Sequence, residues 1–274
     1  MAFREITPGD LPLLPALLSE GFPATRPEFW SRALDVLDRR PPVEGLPRYG
    51  LVLEAEGGLH AVMLMLSQMR GTVRLCNLSS WYVRASHRGY ASFMLAQALK
   101  AKDVTWLDCS PTPPVVPMIE KFGFEPYTGG SVLLDARASV RRGPAVGPLR
   151  PGTLETLEAA ERERIEANLR AGCRGLVAQG TGEQPLLYRV ARVKRHVPVA
   201  RFVYGAPEVI LAHAGAIARH LLARGIPLAL VDRPVGAAVP LGREMPGYGV
   251  RYCRGDAAPP VGDLLDTEYA LFGI

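Results

Sequence analysis

One order of elements occurs twice along this chain of 274 residues, and it limits the fold more than any single motif does. In the first half, apolar stretches at residues 50–55 and 60–67 flank Glu56-Gly57-Gly58, the signature of a hairpin. A third strand pattern covers 73–83, an amphipathic helix 89–100, and a wholly apolar strand follows at 104–108, ending in Asp108-Cys109-Ser110-Pro111. In the second half, a hairpin at 186–193 and 199–204 leads into a helix at 207–224. A strand at 227–231 then ends in Asp232-Arg233-Pro234. Hairpins pair antiparallel, whereas a strand–helix–strand crossover pairs parallel. Each half therefore predicts a mixed sheet, and the chain an α/β fold made of a distant internal repeat. A sheet whose pairing changes sense splays at the change, and clefts form at such switch points.

The remaining elements fit around this repeat. Residues 3–6 read as a strand, and Pro8-Gly9-Asp10 opens a helix carrying Leu11, Leu13, Leu14, Leu17 and Leu18. A second helix spans 27–39, with Trp30, Ala33, Leu34 and Leu37 on one face. A helix at 115–122 stops at Gly123, and 124–127 with 131–135 form a closing hairpin around Gly129-Gly130. The Pro-, Gly- and Arg-rich stretch 138–151 reads as a linker. The expected domains are thus 1–137 and 152–274. The second opens on a helix running from Thr153 to about Arg170, with Gly172 as its stop.

Composition narrows the class. No run of 18 apolar residues exists, and Met1-Ala2-Phe3-Arg4 does not begin a signal peptide, so a cytoplasmic protein without a membrane partner is expected. Cys76, Cys109, Cys173 and Cys253 make no Cys-x-x-Cys pair, which argues against zinc or a disulfide framework. His213 and His220 lie two helical turns apart without a third ligand, so they and His60 and His196 read as structural or surface groups, and no metal is expected. Residues 1–140 carry 14 basic and 14 acidic side chains, and the remainder 18 and 13. The excess is densest at Arg189, Arg192, Lys194, Arg195 and Arg201. That cluster is either a solvated hairpin face or a site for an acidic ligand; the few interleaved aromatics argue against nucleic acid.

The segment from Trp81 to Leu99 carries the only cofactor signal. An apolar strand runs into Val83-Arg84-Ala85-Ser86-His87-Arg88-Gly89, and that loop opens a helix, an arrangement that offers amides to a diphosphate. With Met118-Ile119-Glu120-Lys121-Phe122-Gly123-Phe124, it makes residues 1 to about 137 resemble the GNAT superfamily of acyl-CoA-dependent N-acyltransferases. The family motif Arg/Gln-x-x-Gly-x-Gly/Ala is matched at Arg88 and Gly89. Ala91 replaces its central glycine and Phe93 stands at its last small position. Ile119 occupies the place of a tyrosine with which the family protonates the departing thiolate. The second half resembles a degenerate tandem copy, since Tyr204-Gly205-Ala206-Pro207-Glu208 forms no glycine-rich cradle and Glu208 repels phosphate. No acyl-CoA is expected there; the second domain would instead wall the acceptor.

The resemblance implies acetyl-CoA or another acyl-CoA as co-substrate and a small-molecule amine as acceptor, an acidic one if the basic hairpin faces it. It implies that the backbone of Trp81, Tyr82 and Val83 lies beside the thioester, and that Arg88 and the amides of Gly89, Tyr90, Ala91 and Ser92 meet the diphosphate. Acyl transfer then needs a polarised carbonyl and an amine held in line. His87 is a candidate general base or an exposed loop histidine. Arg88 pairs a phosphate or decorates a helix start. Asp108, Cys109 and Ser110 lie at the ligand end of a parallel strand, yet Asp108 also suits a turn cap. Cys109 is either a thiol proton donor or a buried inert thiol. Ser80 and Tyr82, alternating onto one strand face, touch the acceptor or pack. The rival functions are a non-catalytic GNAT-like binding or scaffold protein and an aminoacyl-tRNA-dependent transferase.

Overall fold

The hairpin expected at residues 50–67 forms β2 (Gly50–Ala55) and β3 (Gly58–Arg70), paired antiparallel. Ahead of them lie β1 (Ala2–Glu5), α1 (Leu14–Gly21) and α2 (Pro27–Asp38). β4 (Val73–Val83) pairs antiparallel with β3 and parallel with β5 (Val104–Asp108), so the sense of pairing changes within the sheet as the pattern requires. The crossover is α3 (Ala91–Ala98), and α4 (Val116–Lys121) follows β5. α1 packs on β3 and β4 and against α2. Residues 61–68 of β3 are buried without interruption, as in a strand covered on both faces.

In this computed structural model, which describes residues 1–180, 182–193 and 196–273, the chain divides into two units. One comprises Met1–Glu125 with Tyr252–Ala258, the other Pro126–Arg251 with Pro259–Ile274. The expected boundary at 137 differs from this division because two strands cross it. The closing hairpin is absent: β6 (Glu125–Pro126) edges the first sheet, whereas β7 (Ser131–Leu134) pairs antiparallel with β12 (Leu228–Asp232) in the second. Gly130, at φ 97°, lets the chain turn away between them. In return β14 (Tyr252–Arg254) pairs antiparallel with β5, placing Tyr252 opposite Asp108. The first sheet has the order β1-β2-β3-β4-β5-β14-β6.

The second sheet contains β7, β8 (Val146–Pro148), β9 (Arg174–Ala178), β10 (Gln184–Val193), β11 (Val197–Tyr204), β12 and β13 (Arg243–Met245), in the order β13-β7-β12-β11-β10-β9-β8. β11 and β12 are parallel and joined by α7 (Pro207–Ala212) and α8 (Ala214–Leu222), so the repeat read from the sequence is a repeat of topology. The stretch 138–151 is no free tether, since β8 pairs with β9. The helix expected from Thr153 divides into α5 (Pro151–Glu155) and α6 (Ala159–Arg170), because Glu158 is extended, at ψ 140°. α9 (Glu268–Leu271) packs on β10 and β11. The core on the α7–α8 side gathers Val132, Leu134, Phe202, Ile210, Ile217 and Val231.

Candidate functional site

The site follows from how β4 and β5 part. Their parallel pairing runs from Arg74–Val104 to Leu78–Asp108, where β5 ends, while β4 continues to Val83. Residues 79–83 of β4 therefore have a β3 neighbour on one edge and no β5 neighbour on the other. Cys109 N–H donates to Asn77 Oδ1 at 3.3 Å, which ties the end of β5 to β4 at the fork.

A bulge sits on this free stretch. Ser79 lies opposite Leu64 and Tyr82 opposite Val62, so Ser80 and Trp81 share the single partner position of Met63. Ser80 takes φ 48°, a left-handed conformation. The extra residue shifts the strand's phase by one. Ser79 and Tyr82, whose partners are two residues apart, now share a face, in place of the expected Ser80 and Tyr82. Ser79 and Ser80 are buried, with their hydroxyls 3.3 Å apart. The Tyr82 ring packs against α1, where a Cβ added at Gly21 would lie 2.4 Å from it. Its ring is thus a packing group.

Backbone donors face the fork. Arg84 N–H donates to His60 O at 2.9 Å. Hydrogen-bonded residues alternate in an antiparallel ladder, so Val83 N–H turns to the opposite edge, where β5 has ended. The indole Nε1 of Trp81 is buried without a partner. The fork thus has an unused amide on its strand edge, and the strand beside it carries an orphaned indole donor.

The loop beyond is built differently from the expected cradle. Residues Ala85–Tyr90 form a 3-10 turn that runs directly into α3. His87 N–H donates to Arg84 O, and Ala91 N–H to Arg88 O. These amides bond within the turn, so the helical stretch presents its unpaired amide end near Ala85 and Ser86 rather than at Gly89–Ser92. Arg88 and Gly89 are exposed, and a Cβ at Gly89 would meet nothing within 4 Å. Phe93 points to solvent at 62% exposure. With Tyr90 and His87 it continues an aromatic row, the His87 ring lying 4.2 Å from that of His60. His87 Nδ1 faces Ser86 Oγ at 2.9 Å.

At the end of β5, Asp108 is buried and accepts from Ser110 N–H at 3.3 Å, the turn-capping contact weighed above. Cys109 is fully buried. Sequence reasoning missed Tyr252, which strand exchange brings opposite Asp108. Its hydroxyl donates to Glu120 Oε1 at 3.3 Å, next to Ile119 on α4. Burial, and then the Glu120 carboxylate, raise the Tyr252 pKa, so the phenol holds its proton. No local signal in Arg251-Tyr252-Cys253 foretells a position 144 residues from Asp108.

The basic hairpin is only partly a solvated face. Lys194 and Arg195 lie outside the described residues. Arg189 donates to the carbonyls of Ala171 and Ala270 at 2.5 and 2.6 Å. Arg201 is buried, donates to Tyr248 Oη and stacks 4.3 Å from the centre of the Tyr269 ring. His213 is held between the carbonyls of Val209 and Gln179, a structural role. Among the described residues no group of three His, Cys, Asp or Glu could hold a metal, and no helix is long and apolar enough to cross a membrane.

No family model matches the sequence, and no curated protein does. Solved structures do match. A putative acetyltransferase from Pyrococcus horikoshii superposes with a TM-score of 0.58 at 14% identity, covering 97% of this chain and 93% of its own. A GCN5-related N-acetyltransferase from Anabaena variabilis gives 0.56 at 12% identity over 92% of this chain and 71% of its own. The N-myristoyltransferase of Saccharomyces cerevisiae, solved with myristoyl-CoA, gives 0.50 at 8% identity over 84% and 76%. Two mixed seven-stranded sheets, each with a parallel pair joined by a helical crossover, give this chain the fold of the GCN5-related N-acetyltransferases.

Proposed function

We propose that the first unit binds an acyl-CoA along the free edge of β4 and transfers its acyl group to a small-molecule amine. The observation carrying this reading is the fork at Leu78–Asp108, with the bulge at Ser80 and the Val83 amide turned into the gap. The Val83 N–H is set to polarise the thioester carbonyl, and Trp81 Nε1 to bond the pantetheine. The exposed turn Ala85–Tyr90 meets the diphosphate through Arg88. The amine attacks the thioester carbon, a C–N bond forms, and the C–S bond breaks. The new amide nitrogen loses a proton and the thiolate gains one. Tyr252, level with the fork and protonated, is the proton source; the fully buried Cys109 is not. His87 is the candidate base for the amine.

A second reading is a binding protein without turnover. It is favoured by the amides of the 3-10 turn, which are spent internally, and by exposed Phe93. Titration calorimetry with acetyl-CoA and longer acyl-CoAs, followed by amine-dependent thiol release, separates the two. Saturable binding with thiol release supports transfer. Binding with no release for any amine supports the second reading, and no binding of any acyl-CoA overturns both. Arg88→Ala is expected to weaken acyl-CoA binding about tenfold. Tyr252→Phe is expected to slow thiol release, and to change its pH profile, while leaving acyl-CoA affinity unaltered.

A further inference from the structure

The second unit contains a cleft that the acyl-transfer reading does not use. It has a volume of about 510 Å³ and lies between the start of α7 and the segment that follows β12. That volume is in the usual range for small-molecule sites. Its walls are mainly apolar, from Val132, Leu211, Val239 and Leu241. An apolar hollow of this size, left facing water, forgoes the burial that its side chains would gain against a ligand.

The charges around it are of two kinds. Those at the base are engaged by protein groups, although Arg233 Nε is buried without a partner. Asp232 accepts from the Arg251 guanidinium at 3.0 and 3.2 Å. Arg233 donates to the carbonyls of Gly129 and Ala237 at 2.6 and 3.0 Å. Those at the rim are not: Arg141, Arg142 and Glu208 are in no ion pair among the described residues. The unpaired rim thus carries one net positive charge.

The arginine side of the rim is fixed in place. A Cβ at Gly215 of α8 would lie 2.2 Å from Arg141 O, so this backbone is drawn onto the helix as closely as glycine permits. Arg219 secures it by donating to Ser139 O and Arg141 O at 2.7 and 3.0 Å. On the opposite side, Pro207 supplies no amide and Glu208 carries a negative charge, so the start of α7 disfavours a phosphate group. The cleft therefore combines an apolar floor, an excess of guanidinium charge and a barrier to polyanions.

We propose that this cleft binds a small amphipathic carboxylate, its apolar body on Leu211 and Val239 and its single negative charge at Arg141 and Arg142. The site is independent of acyl-CoA binding in the first unit. The test is titration calorimetry of the full chain with octanoate, with acetate and octylammonium as controls, repeated in saturating acetyl-CoA. Saturable octanoate binding is expected, unchanged by acetyl-CoA and absent for both controls. Leu211→Trp fills the cleft and is expected to abolish it. Val239→Trp, on the loop after β12, serves the same purpose should the helix variant fail to fold. The double variant Arg141→Gln, Arg142→Gln is expected to weaken octanoate about tenfold. No binding of octanoate, equal binding of octylammonium, displacement by acetyl-CoA, or wild-type affinity in the folded variants would each overturn the proposal.

Discussion

Single side chains do here what their neighbours make them do, and two carboxylates illustrate this. Asp10 is buried and accepts from Arg4 at 2.7 and 2.8 Å, from Thr7 N–H at 2.8 Å and from the Thr7 hydroxyl at 2.7 Å. The Arg4 hydrogen bonds, and then those of Thr7, outweigh desolvation and hold its carboxyl well below the usual range. Its folded pKa lies below the unfolded one, so its contribution is complete above about pH 4 and is lost as pH falls toward the folded value. Urea titrations should therefore show stability declining below about pH 4, and Asp10→Asn should flatten that decline. Asp232 is different, because Arg251, its partner, is completely buried and also donates to Tyr269 Oη at 2.7 Å. Asp232→Asn removes the carboxylate that accepts two hydrogen bonds from that buried guanidinium. A loss of about 3–5 kcal/mol is expected in chemical denaturation. Residue chemistry of this kind was partly legible in the sequence. Cys109, at the end of an apolar strand, offered a buried thiol as one reading, and it is fully buried, as is Cys76, whose thiol burial pushes up to about 12. The engagement of Arg189 and Arg201 was not legible, since a charged residue in a strand names no partner across the fold.

At the scale of elements, periodicity located β2, β4, β5 and the helix after β4 within a few residues, because each has one face or a whole span that must leave water. Periodicity missed what breaks a period. The bulge at Ser80 re-aims the strand, and only the pairing of β3 with β4 reveals it. Its backbone requirement gives a prediction. Glycine adopts φ 48° freely, so Ser80→Gly should change stability by no more than about 1 kcal/mol. A β-branched side chain cannot sit there without strain, so Ser80→Val should lower stability by about 1–3 kcal/mol in urea unfolding and weaken acyl-CoA binding with it. The loop before α3 is the second case. Arg88 and Gly89 suggested amides open to a diphosphate. The 3-10 turn uses the neighbouring amides on its own carbonyls, because no capping side chain interrupts the helical path between Ala85 and Ala98.

Over the whole molecule, the repeat of hairpin, crossover helix and apolar strand set two mixed sheets, and strand exchange set which residues belong to each. Residues 1–137 expressed alone would lack β14 on the open edge of β5, and would carry β7 without the β12 it pairs with. That fragment is expected to give poor amide dispersion and rapid proteolysis where the full chain resists, and a well-dispersed, protease-resistant fragment would contradict the exchange. By itself the sequence determined what local chemistry controls: the order of strands and helices, the change from antiparallel to parallel pairing, and the arginine–glycine turn. These follow from apolar periodicity and turn residues within a few positions of one another. Only the tertiary structure decided that Tyr252 stands opposite Asp108, that β7 leaves the first sheet, and that an apolar cleft rimmed by Arg141 and Arg142 lies beside α7. A strand's hydrogen-bonding edges are alike along its length, so a sequence carries its partners' identities only through burial shared by distant segments, and folding resolves that globally.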